Sequence, residues 1–244
     1  MKLRAGLLSL AALAALLPAA APCDPGPDPE PRAAPTPIAR EEYARRREAL
    51  AARMPDDGVL VVFGAVEPEV DPHGVVQNPA FRYLAGIVEP GAVLVVARSG
   101  GRARSTLFVR PRDPATEVWN GARLGTERAT ALSGIPAREA TQLRPVLDSL
   151  LAAGLKTVYT VSPYADDAPD SGALRADQQL VRELVAAHAG AQEASLTGEL
   201  NRLRGTKSPA ELDLLRRAIE ITSFAHLDAM RTVEPGMNEF EVQA

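Results

Sequence analysis

The sequence predicts an α/β domain in which a mixed sheet is flanked by helices. Two apolar runs, Gly58–Gly64 and Ala92–Ala97, are continuous rather than alternating. Such runs are typical of strands that are buried on both faces. Helical patterns with one apolar stripe lie before and after these runs, and covering helices are what a doubly buried sheet requires. Hydrophobic residues make up 46% of the chain and aromatic residues only 4%, so the predicted core is mainly aliphatic.

Residues 1–23 are predicted to be an export signal. Lys2 and Arg4 form a short positive region, and Gly6–Leu17 is an apolar run that is too short to span a bilayer stably. Small residues follow this run, as they do before a cleavage site. We therefore expect the protein to be exported to the periplasm or cell envelope.

Cys23 is a lipidation candidate, because it stands where a lipoprotein cysteine would follow the apolar run. Acyl chains at this residue would attach the protein to a membrane. Pro22 departs from the usual lipobox, however, and it also hinders ordinary cleavage after Ala21. Both a lipoprotein and a soluble exported form stay open.

Residues 24–37 are predicted to be a semi-extended tether, because they contain six prolines and almost no residue that a core would accept. The folded domain is predicted to span residues 38–204. Its predicted elements, in order, are a helix at Arg40–Met54, strands at Gly58–Gly64, Ala92–Ala97 and Ser105–Arg110, a helix at Glu139–Ala153, a strand at Thr157–Val161, and helices at Leu174–Ala187 and Glu193–Leu203. Gln77–Gly86 is predicted to be a packed strand and turn, with Phe81 and Tyr83 in the core.

A second unit is predicted at residues 205–244. Ser208 and Glu211 have the spacing of a capping box, with Pro209 at the first helical position. The following helix keeps one apolar face for about six turns. Asn238 and Glu241 form another capping signature shortly before the last residue, Ala244. A single helical turn is unstable alone, so we expect this sequence to be a fragment.

The residues by themselves indicate no catalytic set. The charges, 27 basic and 31 acidic, nearly balance, and the absence of a basic stripe argues against a nucleic-acid partner. The three histidines are far apart and none belongs to an HExxH pattern, and no GxSxG elbow occurs. The single cysteine excludes an internal disulfide and a cysteine-rich zinc site.

Several segments, in order, resemble the aminopeptidase P (Xaa-Pro aminopeptidase) family of the creatinase/prolidase superfamily. They are Glu42–Leu50 (EYARRREAL), Gln77–Gly86 (QNPAFRYLAG) with Glu89–Leu94 (EPGAVL), Leu107–Asp113 (LFVRPRD), Glu117–Gly125 (EVWNGARLG), Leu203–Glu211 (LRGTKSPAE) and Glu234–Glu239 (EPGMNE). Each motif is weak alone, but together they cover roughly residues 40–244 in the family's order. The resemblance implies an N-terminal domain followed by the first helices of a truncated "pita-bread" catalytic domain.

The resemblance also implies an activity, namely removal of an N-terminal residue that precedes proline, with two divalent metal ions, Mn²⁺ above all. The family's metal ligands lie beyond the part matched here, so we expect no metal ligands and no hydrolysis from this chain alone. Trp119 holds the position of a tryptophan that lines a neighbouring subunit's substrate pocket in relatives, and the alternative is that it packs within the N-terminal domain. Family members often oligomerise through this domain, so the resemblance also implies a homo-oligomer. Arg123 is a second candidate, either steering a substrate carboxylate or fixing the turn. A prolidase-like dipeptidase and a non-catalytic exported binding or oligomerisation module remain the alternatives.

Overall fold

The computed structural model describes residues 37–65, 77–161 and 176–243. These residues fall into two compact units, one within Thr36–Leu212 and one within Asp213–Ala244. The predicted export signal, Cys23 and most of the predicted tether lie outside the described residues. The boundaries predicted at residues 23, 37 and 204 therefore stay predictions.

A six-stranded mixed sheet forms the centre of the first unit, in the order β4-β3-β2-β1-β5-β6. Its strands are β1 (Gly58–Phe63), β2 (Val93–Ser99), β3 (Arg102–Val109), β4 (Ala137–Glu139), β5 (Thr157–Thr160) and β6 (Gln192–Ser195). β1, β2 and β3 pair in antiparallel fashion, whereas β4, β5 and β6 each join in parallel. The mixed sheet predicted from the sequence is confirmed.

Helices cover both faces of this sheet. In chain order the helices are α1 (Arg40–Ala51), α2 (Pro79–Ala85), α3 (Pro114–Asn120), α4 (Gly125–Ser133), α5 (Leu143–Ala152), α6 (Ala176–Ala187), α7 (Thr197–Gly205), α8 (Pro209–Thr232) and α9 (Glu239–Gln243). α1, α2, α4 and α7 contribute to one core cluster, and α5 and α6 contribute to the other.

The alternation of side chains along β1 explains why its apolar run is continuous. Val59 and Val61 point into the cluster with α5 and α6, whereas Leu60 and Val62 point into the cluster with α1 and α2. All four side chains are at most 1% exposed. Each residue of the strand therefore needs an apolar side chain, because both faces exclude water.

The structure corrects the prediction for Gln77–Gly86, most of which is helix α2 rather than a strand and turn. The Asn78 side chain accepts hydrogen bonds from the amides of Ala80 and Phe81, and Pro79 occupies the first helical turn. Gly86 then ends the helix with a φ of 73°. Phe81 is fully buried as predicted, whereas Tyr83 is only partly buried.

The predicted helix at Glu193–Leu203 is also wrong at its start. Gln192–Ser195 forms the edge strand β6, and helix α7 begins only at Thr197. Pairing with β5 supplies the backbone hydrogen bonds of this segment, and this tertiary contact outweighs its local helical pattern. The sequence interpretation also missed α3, α4 and β4, and it placed Glu139 in a helix rather than at the end of β4.

Arg46 links α1 to α2 and to the first turn of α8. Its guanidinium lies over the rings of Tyr43 and Tyr83, at 5.0 and 4.2 Å from their centroids. It pairs with Glu42 on its own helix and with Glu211 at 3.2 Å, and it donates to the Tyr83 carbonyl oxygen at 3.2 Å. Arg46 is 7% exposed, so these contacts lie largely away from water.

The start of α8 confirms the predicted capping box. The Ser208 amide donates to Glu211 Oε2 at 2.8 Å, and the Glu211 amide donates to Ser208 Oγ at 3.2 Å. In the second unit, the Asn238 amide likewise donates to Glu241 Oε2 at 2.6 Å. Most of the large apolar side chains of α8 are exposed, among them Ile219 at 62%. Within the described ranges, every helix falls short of the length and apolarity that crossing a membrane requires.

Replacement of Gly86 by alanine is expected to destabilise the domain by roughly 2 kcal/mol or more. A Cβ at this position would lie 2.6 Å from Tyr43 Cε2, and the φ of 73° is strained for any L side chain. Gly100→Ala is the matched control, since Gly100 has a φ of 56° and no atom within 4 Å of its added Cβ. Urea unfolding would measure both variants, and equal losses of stability would show that the Tyr43 contact has no effect.

Replacement of Arg46 by alanine is expected to cost about 3 kcal/mol. The substitution leaves the carboxylates of Glu42 and Glu211 without the cation that they share. Arg45→Ala, which removes an exposed neighbour on the same helix, should change the free energy of unfolding by less than about 0.5 kcal/mol. Similar values for the two variants would contradict the assigned role of Arg46.

Candidate functional site

The candidate substrate residues lie on one segment that follows β3. Helix α3 begins after Asp113, whose side chain accepts a hydrogen bond from the Ala115 amide at 3.1 Å. Pro114 occupies the first helical position, and Gly121 ends the helix with a φ of 81°. We call residues 111–125, which comprise α3 and its flanking loops, the arm.

The Glu117 carboxylate accepts hydrogen bonds from residues on both sides of α3. It accepts from Arg112 Nη2 at 2.8 Å and Nε at 3.2 Å, and from the Asp113 amide at 3.1 Å. The backbone of Arg123, beyond the helix, also donates to this carboxylate. The hydrogen bond from Arg112 is the largest cause that lowers the pKa of Glu117, so the carboxylate stays charged at neutral pH.

Arg123 lies in the loop after α3 and is 8% exposed. It lines a cleft of about 360 Å³ together with other charged residues, which are Arg112, Glu127, Arg128 and Glu139. The next residue, Leu124, donates its amide to Glu89 Oε2 at 3.2 Å. A guanidinium group can bind a carboxylate with two hydrogen bonds, but two glutamates line the same cleft and Arg112 is already paired with Glu117.

The buried side-chain amide of Gln77 holds the backbone of Glu89. Gln77 Nε2 donates to the Glu89 carbonyl oxygen at 3.0 Å, and Gln77 Oε1 accepts from the amides of Ala65 and Asn78. Gln77 is 4% exposed and Glu89 is 2% exposed. This buried polar chain therefore connects the end of β1, through Glu89, to the loop that carries Arg123.

Trp119 is the next-to-last residue of α3, and its side chain lies outside the described part of the chain. The preceding side chain on the same helix, Val118, is 77% exposed. The backbone therefore places Trp119 and Arg123 on the same arm, four positions apart. The pocket roles predicted for these two residues stay predictions, as does lipidation at Cys23.

The described histidines form no metal centre. His188 Nε2 lies 2.9 Å from Asp148 Oδ1, and His226 is exposed on α8. Among the described residues, no three His, Cys, Asp or Glu side chains come together as a ligand set. The described part of the chain thus does not fit a divalent metal site, whereas His73 lies outside it.

A second cleft, of about 550 Å³, lies beside Arg46 and was missed by the sequence interpretation. It is lined by aromatic and basic side chains, which include Tyr43, Arg46, Arg82, Tyr83, Arg204 and Lys207. Spacing alone places Tyr43 and Arg46 on one face of α1, because residues three apart are neighbours on a helix. The approach of Tyr83 and Arg204 to them depends on tertiary packing, which no local pattern signals.

Comparison with known proteins identifies a family. A family model described as "Aminopeptidase P, N-terminal domain" matches residues 43–159. The Xaa-Pro aminopeptidase of Escherichia coli K12 is 35% identical over 216 residues, which cover 84% of this chain and 48% of the relative. The chain thus spans about half the length of this relative.

Solved structures agree with the sequence comparison. The low-pH form of E. coli aminopeptidase P superposes with a TM-score of 0.71 at 31% identity, covering 85% of this chain and 48% of that one. A zinc-substituted form of the same enzyme in complex with product matches with the same TM-score, identity and coverage. The predicted fold class is confirmed, and the chain belongs to the aminopeptidase P family, whose N-terminal domain it carries.

Proposed function

We propose that this chain supplies the N-terminal domain of an exported, metal-dependent Xaa-Pro aminopeptidase. Such an enzyme removes the N-terminal residue of a peptide whose second residue is proline. The observation that carries the proposal is the match to E. coli aminopeptidase P, with a TM-score of 0.71 and 31% identity over 85% of this chain. The order of the motifs along the chain adds support. Among them, the segment Glu117–Gly125 (EVWNGARLG) favours aminopeptidase P over prolidase.

The proposed cofactor is a pair of divalent ions, Mn²⁺ in the first instance. Paired metal ions can activate a bridging water and polarise the scissile carbonyl. We propose that their ligands belong to the half of the relatives that this chain does not span, as the family resemblance implies. The residues of this chain would instead act on the bound peptide.

Trp119 is proposed to line the pocket for the substrate proline. An indole face packs well against a proline ring and buries a large apolar area. α3 is a suitable carrier, since residues 114–116 and Val118 on this helix are exposed. In a homo-oligomer formed through this domain, the arm of one subunit would reach the active site of its neighbour.

Arg123 is proposed to steer the substrate carboxylate. Its loop is held from two sides, by Glu117 through the Arg123 backbone and by Glu89 through the Leu124 amide. These two contacts fix the backbone from which the Arg123 side chain extends, so less loop entropy is lost when a peptide binds. The competing role, in which Arg123 only fixes the turn, uses the same contacts and needs a separate test.

The alternatives are a prolidase-like dipeptidase and a non-catalytic exported module. The nucleotide sequence past codon 244 separates the module from both enzymes. A continuous frame that encodes two Asp, one His and two Glu in the family's order supports an enzyme, whereas a stop codon favours the module.

The complete gene product is expected to release the residue before proline from Xaa-Pro peptides when Mn²⁺ is added. The 244-residue chain assayed in parallel is expected to release nothing. Xaa-Pro dipeptides are the control substrates, because cleavage of dipeptides but not of longer peptides would identify a prolidase. No cleavage of either substrate by the complete product would refute the peptidase proposal.

Trp119→Ala in the complete product is expected to lower kcat/KM for Xaa-Pro peptides by about tenfold or more. Loss of an aromatic contact worth about 1.4 kcal/mol gives a change of this size. Val118→Ala, on the same exposed helix, is the control and should leave kcat/KM within about twofold. If both variants keep full activity, Trp119 does not line the pocket.

Arg123→Gln distinguishes carboxylate steering from a structural role. If Arg123 steers the carboxylate, the variant should raise KM several-fold for a tripeptide with a free C-terminus and should leave KM for the corresponding amide unchanged. Equal effects on the two substrates, together with a lower unfolding midpoint, would assign Arg123 to the turn.

A further inference from the structure

The cleft beside Arg46 carries a charge opposite to that of the whole chain. The chain has a formal net charge of −4, yet four basic side chains line this cleft against one carboxylate. The basic residues are Arg46, Arg82, Arg204 and Lys207, and the carboxylate is that of Glu211. The net positive charge of this concave wall concentrates the electric field and attracts anions.

The carboxylates near this cleft are already engaged. Glu211 pairs with Arg46 and accepts from the Ser208 amide, and Glu42 also pairs with Arg46. Within the described ranges, no ion pair joins Arg82 or Arg204 to a carboxylate. These two guanidinium groups therefore keep their charge available to a ligand.

Lys207 adds a third charge at the rim. Its ammonium group donates to the carbonyl oxygens of Arg204 and Gly205, which hold the lysine beside Arg204. An ammonium group has three N–H donors, so it can bind a further acceptor from this position.

Neutral donors complete the wall of the cleft. Burial raises the pKa of Tyr43 and of Tyr83, and Arg46 partly offsets the effect. Both hydroxyls therefore remain protonated at neutral pH and can donate. Asn201 lines the same cleft and contributes an amide group.

We propose that this cleft binds a small organic anion with two or more negative charges, of the polycarboxylate or phosphate class. A volume of about 550 Å³ accommodates an organic body beside the anionic group. The rings of Tyr43 and Tyr83 supply apolar surface for that body, while Arg82, Arg204 and Lys207 face the charge. This proposal does not rest on the proposed peptidase reaction, because none of the residues that line the cleft is assigned a part in it.

Calorimetric titration of the complete gene product tests the proposal, with citrate and inorganic phosphate as separate probes. Sodium chloride keeps the ionic strength constant, since non-specific attraction falls with salt. We expect saturable binding of at least one probe. Binding of citrate alone assigns the polycarboxylate class, whereas binding of phosphate extends the site to phosphates.

The double variant Arg82→Gln/Arg204→Gln should weaken this binding by at least about tenfold, because it removes two charge-assisted contacts. The matched control is Arg138→Gln/Arg182→Gln, which removes the same charge from exposed positions outside the cleft. Arg82→Lys/Arg204→Lys, which restores the charge, should recover most of the affinity. The proposal is overturned if neither probe binds saturably, or if both Gln variants bind as the unaltered chain does.

Discussion

Burial of the central strands on both faces is the constraint on which the rest of the domain depends. β1 pairs with β2 on one side and with β5 on the other, and its side chains enter two separate core clusters. Each buried aliphatic side chain contributes about 1.5–3 kcal/mol, so this strand and its neighbours supply much of the energy that orders the helices. The arm and both clefts are formed by helices and loops whose positions depend on the packing of these layers.

A series of hydrogen bonds between buried polar groups connects the core to the arm. Gln77 anchors the end of β1 and the start of α2, and it holds the backbone of Glu89. The carboxylate of Glu89 then accepts from Leu124, next to Arg123. Buried polar groups are tolerated because they are hydrogen-bonded, and their directionality gives the arm a geometry that apolar packing alone would not define.

The parts of the fold that the sequence predicts are those with strong local signals. β1 and β2 were predictable because their apolar runs are uninterrupted, and α8 was predictable because Ser208 and Glu211 form a capping box. α2 carried a comparable signal in Asn78, Pro79 and Gly86, which the aromatic pattern of the segment obscured. β6 has no such signal, since only its pairing with β5 makes it a strand.

The site was predictable to a smaller extent, and for a different reason. The resemblance to a family singled out Trp119 and Arg123, and the structure places their backbone on one arm. Neither the support from Glu117 and Glu89 nor the cleft beside Arg46 followed from the sequence. The Glu89–Leu124 contact and the cleft join residues that are distant along the chain, such as Tyr83 and Glu211, so they exist only once the sheet and helices have packed. The Glu117 contacts are local, but no capping or periodic pattern signals them.

The two edges of the sheet have a consequence for how copies of this domain can meet. β4 and β6 are short strands that expose Arg138, Glu139 and Glu193. Short edges with charged side chains discourage the addition of a strand from another chain. Open-ended growth of a shared sheet is thereby disfavoured, and any contact between two copies is left to helix and loop surfaces, where it can be finite and symmetric.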